Sequence, residues 1–176
     1  MAQEPSETSN NPDKRPRRRW VRWLRDAVLL LVVFVLIQWW QARNLVEGEA
    51  PSLVGHLVDG SPYQLDVRNG PVLVHFWATW CPICKLEQDS IDSIAEDHPV
   101  ITIATTSGTA DEVSAYLAEH ELSMPVLLDE GGDIGRAWGV QGVPATFIVD
   151  QEGIIRHAGM GYSSEIGLRT RLWIAD

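Results

Sequence analysis

Residues 70–87 read GPVLVHFWATWCPICKLE. Val72–Trp77 is apolar except for His75, which predicts a central strand buried on both faces. Beyond it, Ile83, Leu86, Ile91, Ile94 and Ala95 recur at helical spacing and predict a helix over 83–97. Cys81 and Cys84 fall where that strand gives way to that helix. Two residues between cysteines allow a small disulfide ring. A cysteine at a helix N-terminus has its thiolate stabilised by unpaired backbone N–H groups and the helix dipole, so Cys81 is the expected attacking thiol. Cys84, one turn later, is the covered resolving thiol. Pro82 suits the first helical turn, where a missing N–H costs nothing.

Other uses of the spacing are weaker. The chain of 176 residues has two cysteines, so a four-cysteine zinc site is excluded. His98 and His120 are too far apart for a zinc-finger pair, and Lys85 stands where haem attachment needs a histidine. A structural disulfide across two residues would constrain almost nothing. Cu(I) binding by the two thiols stays open as an alternative. No cofactor and no other metal site is expected.

Working outward, the flanking sequence reads as one α/β domain over 51–176. Strands are predicted near 54–58, 63–66, 100–105, 126–128, 146–149 and 154–157, and helices near 110–120, 133–138 and 163–174, the last capped by Ser163 or Ser164. The net charge of −10 divides into about +3 over residues 1–26 and about −13 over the rest. An acidic body repels phosphate backbones, so nucleic acid is not an expected partner.

The basic cluster precedes an apolar run, Ala27–Ile37, with Trp20, Trp23, Trp39 and Trp40 at its two ends. Arginine and tryptophan in those places predict a membrane segment. Ala27–Trp40 would span about 21 Å as helix, short of a hydrocarbon core of about 30 Å. Cleavable signal peptides have apolar regions this short. A long charged region and the lack of a prompt small-x-small site favour an uncleaved anchor over 27–46, with Arg43 snorkelling. Residues 1–26 then form a cytoplasmic tail, with 1–13 disordered, and the domain lies in the periplasm, tied to a bacterial inner membrane.

The segment 70–87 resembles the active-site stretch of thioredoxin-fold proteins. Residues 142–150, GVPATFIVD, resemble the family's second signature, whose cis-proline faces the disulfide. FWATWC with Glu87 three residues after Cys84 is similar to the membrane-anchored, extracytoplasmic TlpA- and ResA-like branch, which includes the cytochrome c maturation thioredoxins and the suppressor-of-copper-sensitivity D type. The resemblance implies a mixed sheet flanked by helices with an inserted helix and strand at 106–128. It implies a disulfide-bonded protein as substrate and a membrane thiol-electron donor as partner. An apo-cytochrome docking protein is a second alternative within it. Three positions depart from the family. Asp89 replaces the proline that usually kinks the active-site helix, Ala145 follows the proline where the cytochrome group tends to have Glu, and His75 stands where cytoplasmic thioredoxins bury an Asp.

On this reading Cys81 attacks a substrate disulfide and Cys84 resolves the mixed disulfide. Pro82 and Ile83 offer the Cys81 sulfur no donor, which favours a reductase. Glu87, on the helix face near Cys84, is the expected proton acceptor and is read as a partly exposed side chain. His75 is a second candidate, a buried relay on the face of Leu73 and Trp77. Trp80, Pro82, Val143 and Pro144 are the expected substrate contacts, with Trp77 packing in the core. His56, His98, His120 and His157 show no ligand spacing and are expected on the surface or in loops.

Overall fold

The computed structural model of the protein describes residues 17–42 and 45–176. The polar stretch 1–13 and Arg43 lie outside the described residues. Helix α1 runs Arg17–Ala42, starting within the basic cluster rather than at Ala27. Along it Val28–Val33 and Leu36 are exposed. Among the described residues no helix is long and apolar enough to cross a membrane.

The unit Gln38–Asp176 is built on a six-stranded sheet. Its strands are β1 (Gly48–Glu49), β4 (Val72–Trp77), β5 (Val100–Thr105), β6 (Val126–Asp129), β7 (Ala145–Val149) and β8 (Ile154–Met160), in the spatial order β1-β8-β7-β4-β5-β6. β4, β5 and β6 are parallel, and β7, β8 and β1 continue the sheet antiparallel. A separate hairpin pairs β2 (Val54–His56) with β3 (Pro62–Gln64). The mixed sheet is as the sequence resemblance implies, and the inserted helix and strand expected at 106–128 appear as Ala110–Glu119 and Val126–Asp129.

β4 is buried along its whole length, as its composition requires. Alternation sends Val72, Val74 and Phe76 to one face, where Phe76, Phe147 and Trp138 pack with ring centroids 5.0–5.8 Å apart. Leu73, His75 and Trp77 point to the other face. There Leu73 and Trp77 join Ile91 and Ile94 of α3 (Gln88–Asp97), Leu168 and Leu172 of α6 (Glu165–Ala175) and both cysteines. The chemistry therefore shares a layer with two helices. α4 (Ala110–Glu119) opens on a complete capping box between Thr109 and Glu112. α6 is capped by Ser164, which leaves Ser163 free for another role.

The single helix expected over 83–97 is two. α2 covers only Pro82–Lys85, and α3 starts at Gln88. At the break, the Leu86 N–H donates to the Ile83 carbonyl and the Glu87 N–H to the Cys84 carbonyl, both at 3.1 Å. These i→i−3 bonds tighten the turn without a proline. Ile83 and Leu86 are exposed rather than core residues, while Cys84, Glu87, Gln88, Ile91 and Ile94 form the buried face.

The folded unit also begins earlier than Pro51. Leu45 is buried among Leu53, Val72 and Phe147, and the Val46 N–H donates to the Trp138 carbonyl. β1 then pairs Gly48 and Glu49 with Ile155 and Ile154. A membrane segment reaching Val46 conflicts with this packing, because the same side chains bury against the sheet. Leu45→Ala in the full chain should cost ~2–4 kcal/mol of stability, read by denaturant titration. An unchanged midpoint would take Leu45 out of the core.

Candidate redox site

Cys81 is the N-cap of α2, with extended backbone angles, and it forms a disulfide with Cys84. The Cys84 N–H donates to the Cys81 sulfur at 3.2 Å. Because α2 is one turn long, that local N–H contributes more to a Cys81 thiolate than a helix dipole does. Cys81 is nearly covered and Cys84 fully so. The Val143–Pro144 bond is cis, as the resemblance implies, and it sets the Val143 carbonyl oxygen 3.7 Å from the Cys81 sulfur. Pro144 is itself pinned, its carbonyl accepting the Gly161 N–H.

Trp80 and Trp77 divide as their positions suggest. Trp80 is 63% exposed beside Cys81, with its indole N–H fixed on the Thr106 carbonyl. It presents a flat apolar surface next to the disulfide, and Pro82 and Ile83 extend that exposed rim. Trp77 is buried and donates to the Thr102 hydroxyl.

Beneath the disulfide lies a polar pair. Glu87 is fully buried, not partly exposed. One carboxyl oxygen, Oε2, accepts the Ser163 N–H at 2.8 Å. The other, Oε1, faces His75 Nε2 at 3.6 Å. His75 Nδ1 lies 3.0 Å from the Thr146 hydroxyl, directly across the β4–β7 pairing. Burial pushes the Glu87 carboxyl up to about 7, opposed by the Ser163 N–H, and holds His75 down at about 3. Bringing both ions out of water costs more than their attraction returns, so this is a pair of neutral groups over much of the acid range. A carboxyl that titrates near neutrality inside the core is suited to take or give one proton.

The structure thus brings together Cys81, Cys84, Trp80, Pro82, Val143 and Pro144 around one surface, with Glu87 and His75 below it. The sequence reading missed Thr146 and Ser163. Thr146 carried a signal: it is the single polar residue of β7, as His75 is of β4. Ser163 acts through its backbone and left none. Of the histidines set aside, His56 is exposed, whereas His157 is half-buried and His120 stacks on Tyr116. Among the described residues no group of three or more metal-ligating side chains is assembled.

A helix-capping cysteine pair facing a cis-proline on a mixed sheet defines a thioredoxin-fold protein-disulfide oxidoreductase. The Redoxin family profile matches residues 45–170, and the chain belongs to that family. It is 31% identical over 163 residues to the thiol:disulfide interchange protein DsbE of Pseudomonas fluorescens biotype C, covering 86% of this chain and 92% of that one. It is 30% identical to DsbE of Escherichia coli K12, covering 83% and 85%. A solved DsbE-type structure from Chlorobium tepidum superposes with a TM-score of 0.67 at 22% identity, over 74% of this chain and 98% of that one, which shows the same fold.

The buried pair makes two opposed contributions to the pH dependence of stability. Glu87 is raised from 4.5 to about 7, so the folded state binds more protons in that window and stability falls as pH rises through it. His75 is lowered from 6.5 to about 3, so stability falls as pH drops below 6.5. Glu87→Gln removes the first slope. Relative to wild type it should gain at most ~3 kcal/mol between acid and pH 8 in denaturant titrations. A constant difference across that range would show that Glu87 does not titrate in the core.

Proposed function

We propose that the protein is a membrane-tethered thiol-disulfide reductase acting on proteins outside the cytoplasm. The observation that carries the chemistry is the Cys81–Cys84 pair at the cis Pro144 surface with a buried carboxyl beneath it. In the reduced enzyme the Cys81 thiolate attacks a substrate disulfide, forming a mixed disulfide and releasing one substrate thiolate. Glu87 takes the proton of Cys84. The Cys84 thiolate attacks the Cys81 sulfur, the second substrate thiolate leaves, and Cys81–Cys84 closes. The substrate is then reduced by two electrons and the enzyme oxidised by two. A thiol donor restores the dithiol by the reverse exchange.

The direction rests on Pro82 and Ile83, which bring no side-chain donor to the Cys81 sulfur. Trp80, Pro82, Val143 and Pro144 receive an extended substrate segment, pairing backbone to backbone with little side-chain selectivity. Tethering rests on the arginine-rich start and the Trp-flanked apolar run of α1. The relatives named DsbE act, by that name, in thiol:disulfide interchange, which suits this reading.

Cys81→Ser should abolish insulin-disulfide reduction, and Cys84→Ser should accumulate a mixed disulfide with substrate. Faster alkylation of Cys84 than of Cys81 would reverse the two roles. Glu87→Gln should slow resolution by roughly 10²-fold in single-turnover kinetics. In spheroplasts, protease should reach residues 45–176 and spare residues 1–16, and recovery of the domain as a free soluble protein would remove the tether.

A further inference from the structure

Among the described residues four buried side-chain polar atoms lack a hydrogen-bond partner, and two of them, His75 Nε2 and Glu87 Oε1, face each other. Their 3.6 Å separation leaves no room for a water between them. Each side chain is fixed on its far side, Glu87 by the Ser163 N–H and His75 by the Thr146 hydroxyl. The mechanism above uses Glu87 and gives His75 and Thr146 nothing to do.

We propose that Thr146 and His75 form a directional pair of positioning residues that sets the proton affinity of Glu87. This rests on the reading of Glu87 as proton acceptor and extends it to residues that touch no reacting atom. The direction follows from counting donors. A threonine hydroxyl has one hydrogen, and at a buried site that hydrogen needs an acceptor. Among the described residues, His75 Nδ1 is the one hydrogen-bond partner of Thr146 Oγ1. The hydroxyl therefore donates to Nδ1. A neutral imidazole whose Nδ1 accepts carries its proton on Nε2. That N–H points at Glu87 Oε1.

The result is a chain of dipoles running from Thr146 through His75 to Glu87. Burial keeps His75 neutral, so it supplies a donor without a competing charge. When Glu87 ionises, its charge supplies the attraction that shortens the 3.6 Å contact into a hydrogen bond. The ionised carboxylate then has a donor on each oxygen, Ser163 N–H on Oε2 and His75 Nε2–H on Oε1. Without His75 the carboxylate would keep one donor against the full cost of burial, and its proton affinity would climb out of the working range. His75 carries no proton to solvent on this account, because Thr146 is itself buried and leads nowhere.

Other groups border the same face. Cys84 approaches from α2, and Thr102 from β5 is occupied by Trp77 and the Pro125 carbonyl. His157 of β8 lies on this face beyond Gly159, half-buried, held down by burial and by Arg171 of α6. Glu165 and Arg169 pair with each other at the outer margin, and Lys85 lies over Tyr116. His157→Gln therefore serves as a control for a nearby titrating group.

The test is the titration of the Glu87 carboxyl, followed by carbon NMR on selectively labelled full chain in the oxidised state, with nitrogen NMR of His75 beside it. Wild type should show His75 protonated on Nε2 and not on Nδ1 throughout. His75→Leu should raise the Glu87 midpoint by about one unit or more. Thr146→Val should raise it by a smaller step and blur the tautomer, Thr146→Ser should restore both, and His157→Gln should leave the midpoint in place. Thr146→Val keeps the shape of the core, so the claim stands or falls even where His75→Leu fails to fold. An Nδ1–H tautomer in wild type, or a Glu87 midpoint unmoved by Thr146→Val, overturns the proposal. Either result leaves insulin reduction by the Cys81–Cys84 dithiol untouched, so it is separable from failure of the reductase reading.

Discussion

The constraint on which the site depends is a carboxyl group shut away from bulk solvent. Glu87 lies fully buried under the disulfide, anchored by one backbone N–H and facing one imidazole. Burial of that group disfavours its charge, and a carboxyl whose charge is disfavoured can hold a proton near neutral pH. The nearby thiol Cys84 is covered as well, and in the reduced enzyme desolvation disfavours its thiolate. A resolving thiol of that kind needs a base whose proton affinity has been raised to meet it, and the same burial supplies both.

Helical spacing places the group: Cys84, Glu87, Gln88, Ile91 and Ile94 share one buried face, while Leu86 falls on the opposite side and is exposed. The break between α2 and α3 tightens the chain within that face through two i→i−3 bonds. Helix α2 is then left as a single turn that does little beyond holding Cys81 as a cap and turning its sulfur towards the cis Pro144 loop. The sheet supplies the other wall. Alternation along β4 aims His75 to the same side as Trp77, and the antiparallel pairing with β7 brings Thr146 opposite it.

Much of this was legible in the sequence, for definite reasons. The buried strand VLVHFW, the CPIC turn and the GVPATF segment are local patterns whose chemistry does not depend on distant partners, and all three fall where expected. His75 was placed on its correct face by alternation alone. The helix break was not legible, because its usual cause, a proline, is absent at Asp89 and the tightened turn arises from hydrogen bonding that no residue type announces. Glu87 reads as partly exposed because a carboxylate is almost never fully buried, although its spacing from Cys84 and Ile91 puts it on the buried face. The start of the domain was misjudged because Leu45 and Val46 continue an apolar run, and periodicity cannot say whether an apolar residue buries in lipid or against a sheet. Ser163 contributes a backbone N–H, which any residue but proline provides.

The measurement that bears most directly on this account is the midpoint potential of Cys81–Cys84 against pH, in wild type and in Glu87→Gln. A couple exchanging two electrons and two protons falls by about 59 mV per pH unit until a thiol ionises. If Glu87 exchanges a proton with the dithiol, its own affinity differs between the oxidised and reduced states. The wild-type line should then bend near pH 7 as well as at the Cys81 ionisation, and the bend near 7 should vanish in Glu87→Gln. Superimposable slopes for the two proteins across that range would contradict the coupling of the buried carboxyl to the redox pair.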